Sequence, residues 1–307
     1  MMEQITSLQN PKIKQLLLLQ QKSSERRKTG LFVVEGQQEL QHCVDAGYEV
    51  DTVFWCPELY PAVLCPAVLP PDSRSVLPPD SRSVLPPDSR SVLPPDSHSV
   101  LPPDSCAAAA GRCFRVSADV YAKVAYRGTT EGVIAEVRTK NLRLVDLQLG
   151  DSPLIVVLES VEKPGNLGAI LRSADASGVD AVVVCDPLTD LYNPNLIRSS
   201  VGAAFTVPCV ACSSEDCIAF LKQRGIKILT AQLQDSHLYY DTDMTCGTAI
   251  VMGTEHDGLT DQWRQAADAH IRIPMLGRID SLNVSVSAAI LMFEAVRQRK
   301  IEEDRGR

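Results

Sequence analysis

In the C-terminal half of this chain, short runs of apolar residues alternate with stretches of helical pattern, and no other feature limits the fold as tightly. The runs are LIVVLES from Leu154, AVVVCD from Ala181, FTVPCVAC from Phe205, KILTAQ from Lys227, AIVMGTE from Ala249 and HIRIP from His270. Helices are expected between them: Asn166 to Gly178, Asn195 to Phe205, across Cys217 to Gly225, a short one from Thr260, and a long final one running toward Arg299. A strand that is apolar on both faces belongs in a parallel sheet, with its helical connections covering the two sides. The ordinary dinucleotide-binding version of such a sheet carries GxGxxG between first strand and helix. GNLGAI, from Gly165 to Ile170, lacks that pattern.

The segment IRIPMLGRIDSLNVSVSAAI, Ile271 to Ile290, joins the last strand to the final helix. Its strand ends at Pro274, a loop containing Gly277 follows, and Asp280, Ser281 and Asn283 open the helix. Unpaired amides at a helix start carry partial positive charge and suit a polar or anionic ligand. Taken alone, the segment fits a plain cap by Asp280 or Ser281 equally well. Two further stretches bear on it: EKPGNLGAILRSADASGVDAVVV, Glu162 to Val184, and AIVMGTEHDGLT, Ala249 to Thr260. In this order the three resemble the signature motifs of the SpoU (TrmH-like) family of RNA 2′-O-ribose methyltransferases, within the knotted SPOUT superfamily. The resemblance covers roughly Leu154 to Arg299.

That resemblance implies a deep trefoil knot and S-adenosylmethionine held among Met252, Gly253, Thr254, Glu255, Ile273, Met275, Gly277, Leu282 and Asn283. It also implies that Asn166, Arg172, Glu255, Ser281 and Asn283 carry the chemistry. A guanidinium is a poor base, so Arg172 is read either as the base the family often assigns or as electrostatic support for a developing alkoxide or a neighbouring phosphate. An ion pair with Asp175, three residues on, is the structural alternative. The chain departs from the commoner pattern with GTEHDG for GNEGxG and with Asp280 for Glu. Family members are typically homodimers paired through the C-terminal domain. Leu282, Val286, Ile290, Phe293 and Val296 could serve that packing or an internal core.

The first thirty residues hold Lys12, Lys14, Lys22, Arg26, Arg27 and Lys28 against Glu3 and Glu25, although the whole chain carries a net charge of -8. An acidic protein does not coat nucleic acid indiscriminately, so RNA contact must be local. Lys12, Lys14, Arg26, Arg27 and Lys28, with Arg198 in NPNLIRSSVGAAF, are the candidate RNA contacts. An amphipathic helix is expected after Asn10-Pro11, a buried strand at LFVVEG, a helix ending at Gly47 and a second strand at TVFWC. With RVSADVYAKVAYRGTTEGVIAEV, Arg115 to Val137, this region resembles the ribosomal-protein-like RNA-binding domain of many SpoU enzymes. The expected organisation is an RNA-binding domain over 1–138, a linker over 139–152 and a methyltransferase domain over 153–307.

From Leu69 the octapeptide LPPDSRSV runs four times, His98 replacing Arg in the last copy, and a partial repeat ends at Ser105. This is read as a flexible insertion, 65–107, within the first domain. Among the ten cysteines, Cys209, Cys212 and Cys217 form the only tight group. A fourth ligand at matching spacing is absent, so reduced thiols rather than a metal are expected. No apolar run reaches membrane-spanning length, and the cytoplasm is the expected location. Folded RNA, ribosomal before transfer RNA, is the expected substrate. A non-catalytic RNA-binding assembly factor retaining the knot is the rival, though it need not keep all five chemical residues. An unknotted nucleotide-cofactor enzyme is disfavoured by the missing glycine fingerprint.

Overall fold

The computed structural model describes residues 3–59, 112–126, 131–254 and 257–305. The octapeptide repeat and Glu255 lie outside the described residues.

The N-terminal unit runs β1 (Glu3–Ile5), α1 (Pro11–Gln21), α2 (Ser23–Thr29), β2 (Leu31–Glu35), α3 (Gln37–Asp45), β3 (Val50–Trp55), β4 (Arg112–Val116), α4 (Ala118–Val124) and β5 (Val133–Arg138). Its strands order as β1-β4-β3-β5-β2, with β5 antiparallel to both neighbours and the other pairings parallel. Asn10 starts α1 by accepting from the Lys12 amide at 2.8 Å, and Pro11 has no amide to leave unpaired. Ile13, Leu16 and Leu19 recur at helical spacing and are buried with Phe54, Ile134 and Tyr121 of α4. The opposite face of the sheet packs Phe32, Val53 and Val137 against Leu40 and Cys43 of α3.

The C-terminal unit contains β6 (Leu154–Glu159), α5 (Pro164–Ser177), β7 (Ala181–Cys185), α6 (Pro194–Ser200), α7 (Ala203–Thr206), β8 (Cys209–Cys212), α8 (Ser214–Gln223) and β9 (Lys227–Ala231). It continues with β10 (His237–Leu238), β11 (Thr248–Met252), α9 (Asp261–Ala266), β12 (Ala269–Arg272) and α10 (Val284–Arg305). All seven strands pair in parallel, in the order β10-β12-β9-β11-β6-β7-β8. Every residue of β6, β7 and β11 is buried, as their apolar sequences require. Leu167, Leu171, Leu291 and Met292 of α5 and α10 cover one face, and Phe220, Leu221 and Trp263 of α8 and α9 cover the other. From β6 the chain steps outward to β7 and β8, then crosses to β9 and returns to lay β11 beside β6. The β6/β11 boundary is therefore where the strand order reverses, and the carboxyl ends of strands at such a point form the usual ligand crevice.

Several elements differ from the sequence reading. β1 and β10 are too short for an alternating pattern to show. The helix expected from Asn195 to Phe205 is two helices, broken at Val201 and Gly202, whose φ values are 52° and 91°. A Cβ on Gly202 would stand 2.6 Å from the His42 ring, so the break is where α3 of the N-terminal unit comes closest. Beyond it Phe205 joins the N-terminal core, with ring centroids 6.1 Å from Phe32 and 5.4 Å from Tyr48. Tyr192 stacks on Phe32 at 4.5 Å, and its hydroxyl donates to the Lys140 carbonyl at 2.6 Å and accepts from the Lys140 amide at 2.8 Å. The two units thus share an aromatic core, and the polar segment after Val137 is fastened to it.

Gly168, the second glycine of GNLGAI, serves packing. A Cβ there would lie 1.9 Å from Ser199 Oγ and 2.6 Å from the Leu196 carbonyl of α6. Gly168→Ala should destabilise the protein by about 1–3 kcal/mol through overpacking, read as a lowered midpoint in thermal denaturation.

Candidate active site

At the β6/β11 boundary the strand ends open into a cavity of about 150 Å³. Ser160, Val161, Glu162 and Lys163 line it after β6, Gly253 and Thr254 after β11, and Asn166 and Val284 at the starts of α5 and α10. Ser160 turns the chain out of β6 with φ 52°. After β11 the turn is tight: the Thr254 amide donates to the Gly258 carbonyl at 3.1 Å, and a Cβ on Gly253 would stand 2.2 Å from that same carbonyl. Only glycine fits there. The Glu159 carboxylate accepts from the Thr260 amide at 2.9 Å and its hydroxyl at 2.7 Å, tying the far side of this turn to β6.

Asn283 rather than Asp280 or Ser281 caps α10. Its Oδ1 accepts from the Ser285 amide at 3.0 Å and hydroxyl at 2.6 Å. The other end of the same amide, Nδ2, donates to Asn166 Oδ1 at 3.2 Å, joining residues 117 positions apart. Ser281 is exposed and its hydroxyl donates to Asp280 at 3.3 Å. Arg172 is exposed on α5, and Asp175 does not pair with it but accepts from the Thr206 hydroxyl at 2.7 Å.

The structure brings Asn166, Gly253, Thr254 and Asn283 together. Ile273, Met275 and Gly277 instead line a second cleft of about 480 Å³, with Leu238, Ile279 and Asp280. Met252 is in the core and Leu282 is half-buried. Ser160, Glu162 and Lys163 escaped the sequence reading, although the last two begin the first motif. They surface only once β6 is seen to end beside β11.

Of the proposed RNA contacts, Lys14, Arg27, Lys28 and Arg198 are exposed and Lys12 is half-buried. Lys12 also faces Glu136, whose carboxyl is pushed up to about 7 by burial and by Asp51, with Lys12 and Arg112 opposing. Arg26 departs from the expectation. It is 3% exposed, its Nε donates to Asp190 Oδ2 at 2.6 Å and its Nη1 to the Leu19 carbonyl, so it fastens the two units together and is buried away from RNA.

The fold that carries this crevice is shared with solved RNA methyltransferases, and the likeness extends along the chain. A solved RNA 2′-O ribose methyltransferase, 33% identical, aligns over 97% of this chain and 99% of its own with a TM-score of 0.72. The AdoMet-bound rRNA methyltransferase from Sinorhizobium meliloti, 25% identical, aligns over 96% and 98% with a TM-score of 0.77. Residues 10–75 match the MRM3-like substrate binding domain, and residues 153–293 match the SpoU rRNA Methylase family. The 23S rRNA (guanosine-2'-O-)-methyltransferase RlmB of Vibrio vulnificus (strain CMCP6) is 40% identical over 181 residues, 57% of this chain and 73% of that protein. The chain belongs to the SpoU rRNA methylase family.

Arg26→Ala should cost about 3 kcal/mol, because Asp190 loses its partner in a mostly buried site, while the salt dependence of RNA binding stays as it was. Arg27→Glu with Lys28→Glu should do the reverse, leaving stability nearly unchanged and flattening the salt slope. Chemical denaturation and RNA titration at several salt concentrations separate the two.

Proposed function

We propose that this protein methylates a ribose 2′-hydroxyl of 23S ribosomal RNA, on a guanosine as in the relative's name, with S-adenosylmethionine as donor. The observation that carries this is the Asn166–Asn283 hydrogen bond beside the cavity lined by Gly253 and Thr254, where all three motifs converge. The donor fits the residues present. The cleft beside Ile273, Met275 and Gly277, of about 480 Å³, is of cofactor size. Met252, Gly253, Thr254, Ile273, Met275, Gly277, Leu282 and Asn283 would hold it. Once bound, it supplies an electrophilic methyl group on a sulfonium.

The chain's own task is to place the hydroxyl and stabilise the charge that develops on its oxygen. Asn166 and Asn283 are held by the α10 cap before any substrate arrives, so little reorganisation remains at the moment of reaction. Arg172 presents an exposed cation, suited to the developing alkoxide or an adjacent phosphate. Ser281 and Asn283 hold the target nucleotide, and Glu255, outside the described residues, orients the arginine or Asn166. Lys14, Arg27, Lys28 and Arg198 provide the local positive surface that grips RNA. No helix among the described residues is long and apolar enough to cross a membrane, and the cytoplasm, where ribosomal RNA is met, is the proposed location. The knot is part of the same reading: β11 follows β9 in the chain yet lies between β9 and β6.

Pairing of two copies through α10 completes the proposal. Val284, Ala288, Leu291, Met292 and Ala295 pack inward, whereas Val286 and Phe293 stay 48% and 49% exposed, and nearby in the chain Leu276 and Ile279 are 98% and 66% exposed. An apolar face this open is ordinarily covered by a partner.

Arg172→Ala should lower methyl transfer by about 100-fold or more with donor affinity nearly intact. Incorporation of labelled methyl into 23S RNA, alongside calorimetry of donor binding, tests this, and undiminished turnover removes Arg172 from its role. Phe293→Glu should shift a dimer to a monomer in sedimentation; an unchanged state refutes pairing through α10.

A further inference from the structure

Away from the methyl-transfer site, on the α8 side of the sheet, three thiols meet that are far apart in sequence. Cys185 ends β7, Cys212 ends β8 and Cys217 lies in the first turn of α8, and their sulfurs are all within 4.8 Å of one another. Sequence spacing favoured Cys209 as the third member. The parallel register puts Cys185 directly opposite Cys212 instead, while Cys209 sits one strand-length away, opposite Val182. Among the described residues this is the one group of three or more metal-binding side chains so closely placed.

Its surroundings are built. Asp186, in the left-handed region at φ 47°, accepts from the Ser214 hydroxyl at 2.6 Å and amide at 3.2 Å, and Ser214 Oγ accepts from Trp263 Nε1 at 2.9 Å. These bonds fix the start of α8 against the end of β7, and therefore Cys217 against Cys185. Both of those side chains are wholly buried, whereas Cys212 is half-buried and gives solvent access.

We propose that Cys185, Cys212 and Cys217 bind one thiophilic metal ion, of the zinc or cuprous kind, through three thiolates. Tetrahedral zinc with bonds of about 2.3 Å sets its sulfurs about 3.8 Å apart, inside the 4.8 Å that spans the three thiols here. The three thiols release three protons to solvent as the ion enters. A cuprous ion is satisfied by three thiolates, and zinc takes a water on the open side of Cys212 as its fourth ligand.

The test uses the full chain, reduced and stripped of metal. Cobalt(II), as a spectroscopic stand-in for zinc, and anaerobic Cu(I) against a chromophoric chelator are titrated in parallel. The expected result is one equivalent of at least one ion, with a thiolate-to-cobalt charge-transfer band when cobalt is the ion held. Affinity should fall at least about tenfold in Cys212→Ser and Cys185→Ser and remain in Cys209→Ser. Cys212→Ser, at a half-buried position, decides the matter if Cys185→Ser fails to fold. Retention of neither ion at one per chain, undiminished binding by Cys212→Ser, or loss of binding in Cys209→Ser overturns the proposal.

Discussion

The parallel pairing of β6 with β11, Leu154 opposite Thr248 through Leu158 opposite Met252, is the constraint on which the rest of the structure hangs. It brings Ser160 and Gly253 to the rim of one cavity, at the ends of two strands far apart in the chain. Both strands are buried along their whole length, so their apolar sequences tolerate no slip of register that would bring a polar neighbour inside. From that seam the first motif leaves along α5 and the second turns sharply at Gly253. The third returns through α10, and the Asn166–Asn283 bond closes the circuit.

The second constraint lies between the units. Phe32, Tyr48, Tyr192 and Phe205 form one aromatic cluster from both halves of the chain, and Arg26 with Asp190 ties its border. The hydroxyl of Tyr126 adds a bond to Asn195 at 2.9 Å. A basic surface carried on the N-terminal unit, where Lys14, Arg27 and Lys28 are exposed, is therefore presented at a set angle to the C-terminal unit.

Much of this was legible in the residues. Strands of wholly apolar composition announced a parallel sheet, Asn10-Pro11 announced α1, and three ordered motifs announced the family. The break at Val201 and Gly202 was not read from the sequence, and the close approach that requires glycine there, by His42, comes from the other unit. Arg26 read as one more basic residue in a basic stretch because burial leaves no mark on composition. The cap on α10 went to Asn283, the last of the three polar residues, because the helix begins only at Val284. The thiol cluster was hidden for a related reason, since sequence spacing reports neighbours along a strand and not those across a ladder.

Asn283 spends one amide on two tasks, ending a helix and bracing Asn166. Helix ends are the first parts of a helix to fray as temperature rises. Fraying of the first turn of α10 would release the brace while the sheet beneath remained whole. With the chemistry resting on that brace, the temperature of lost turnover would fall below that of lost structure, and heat inactivation would begin as a local and reversible event.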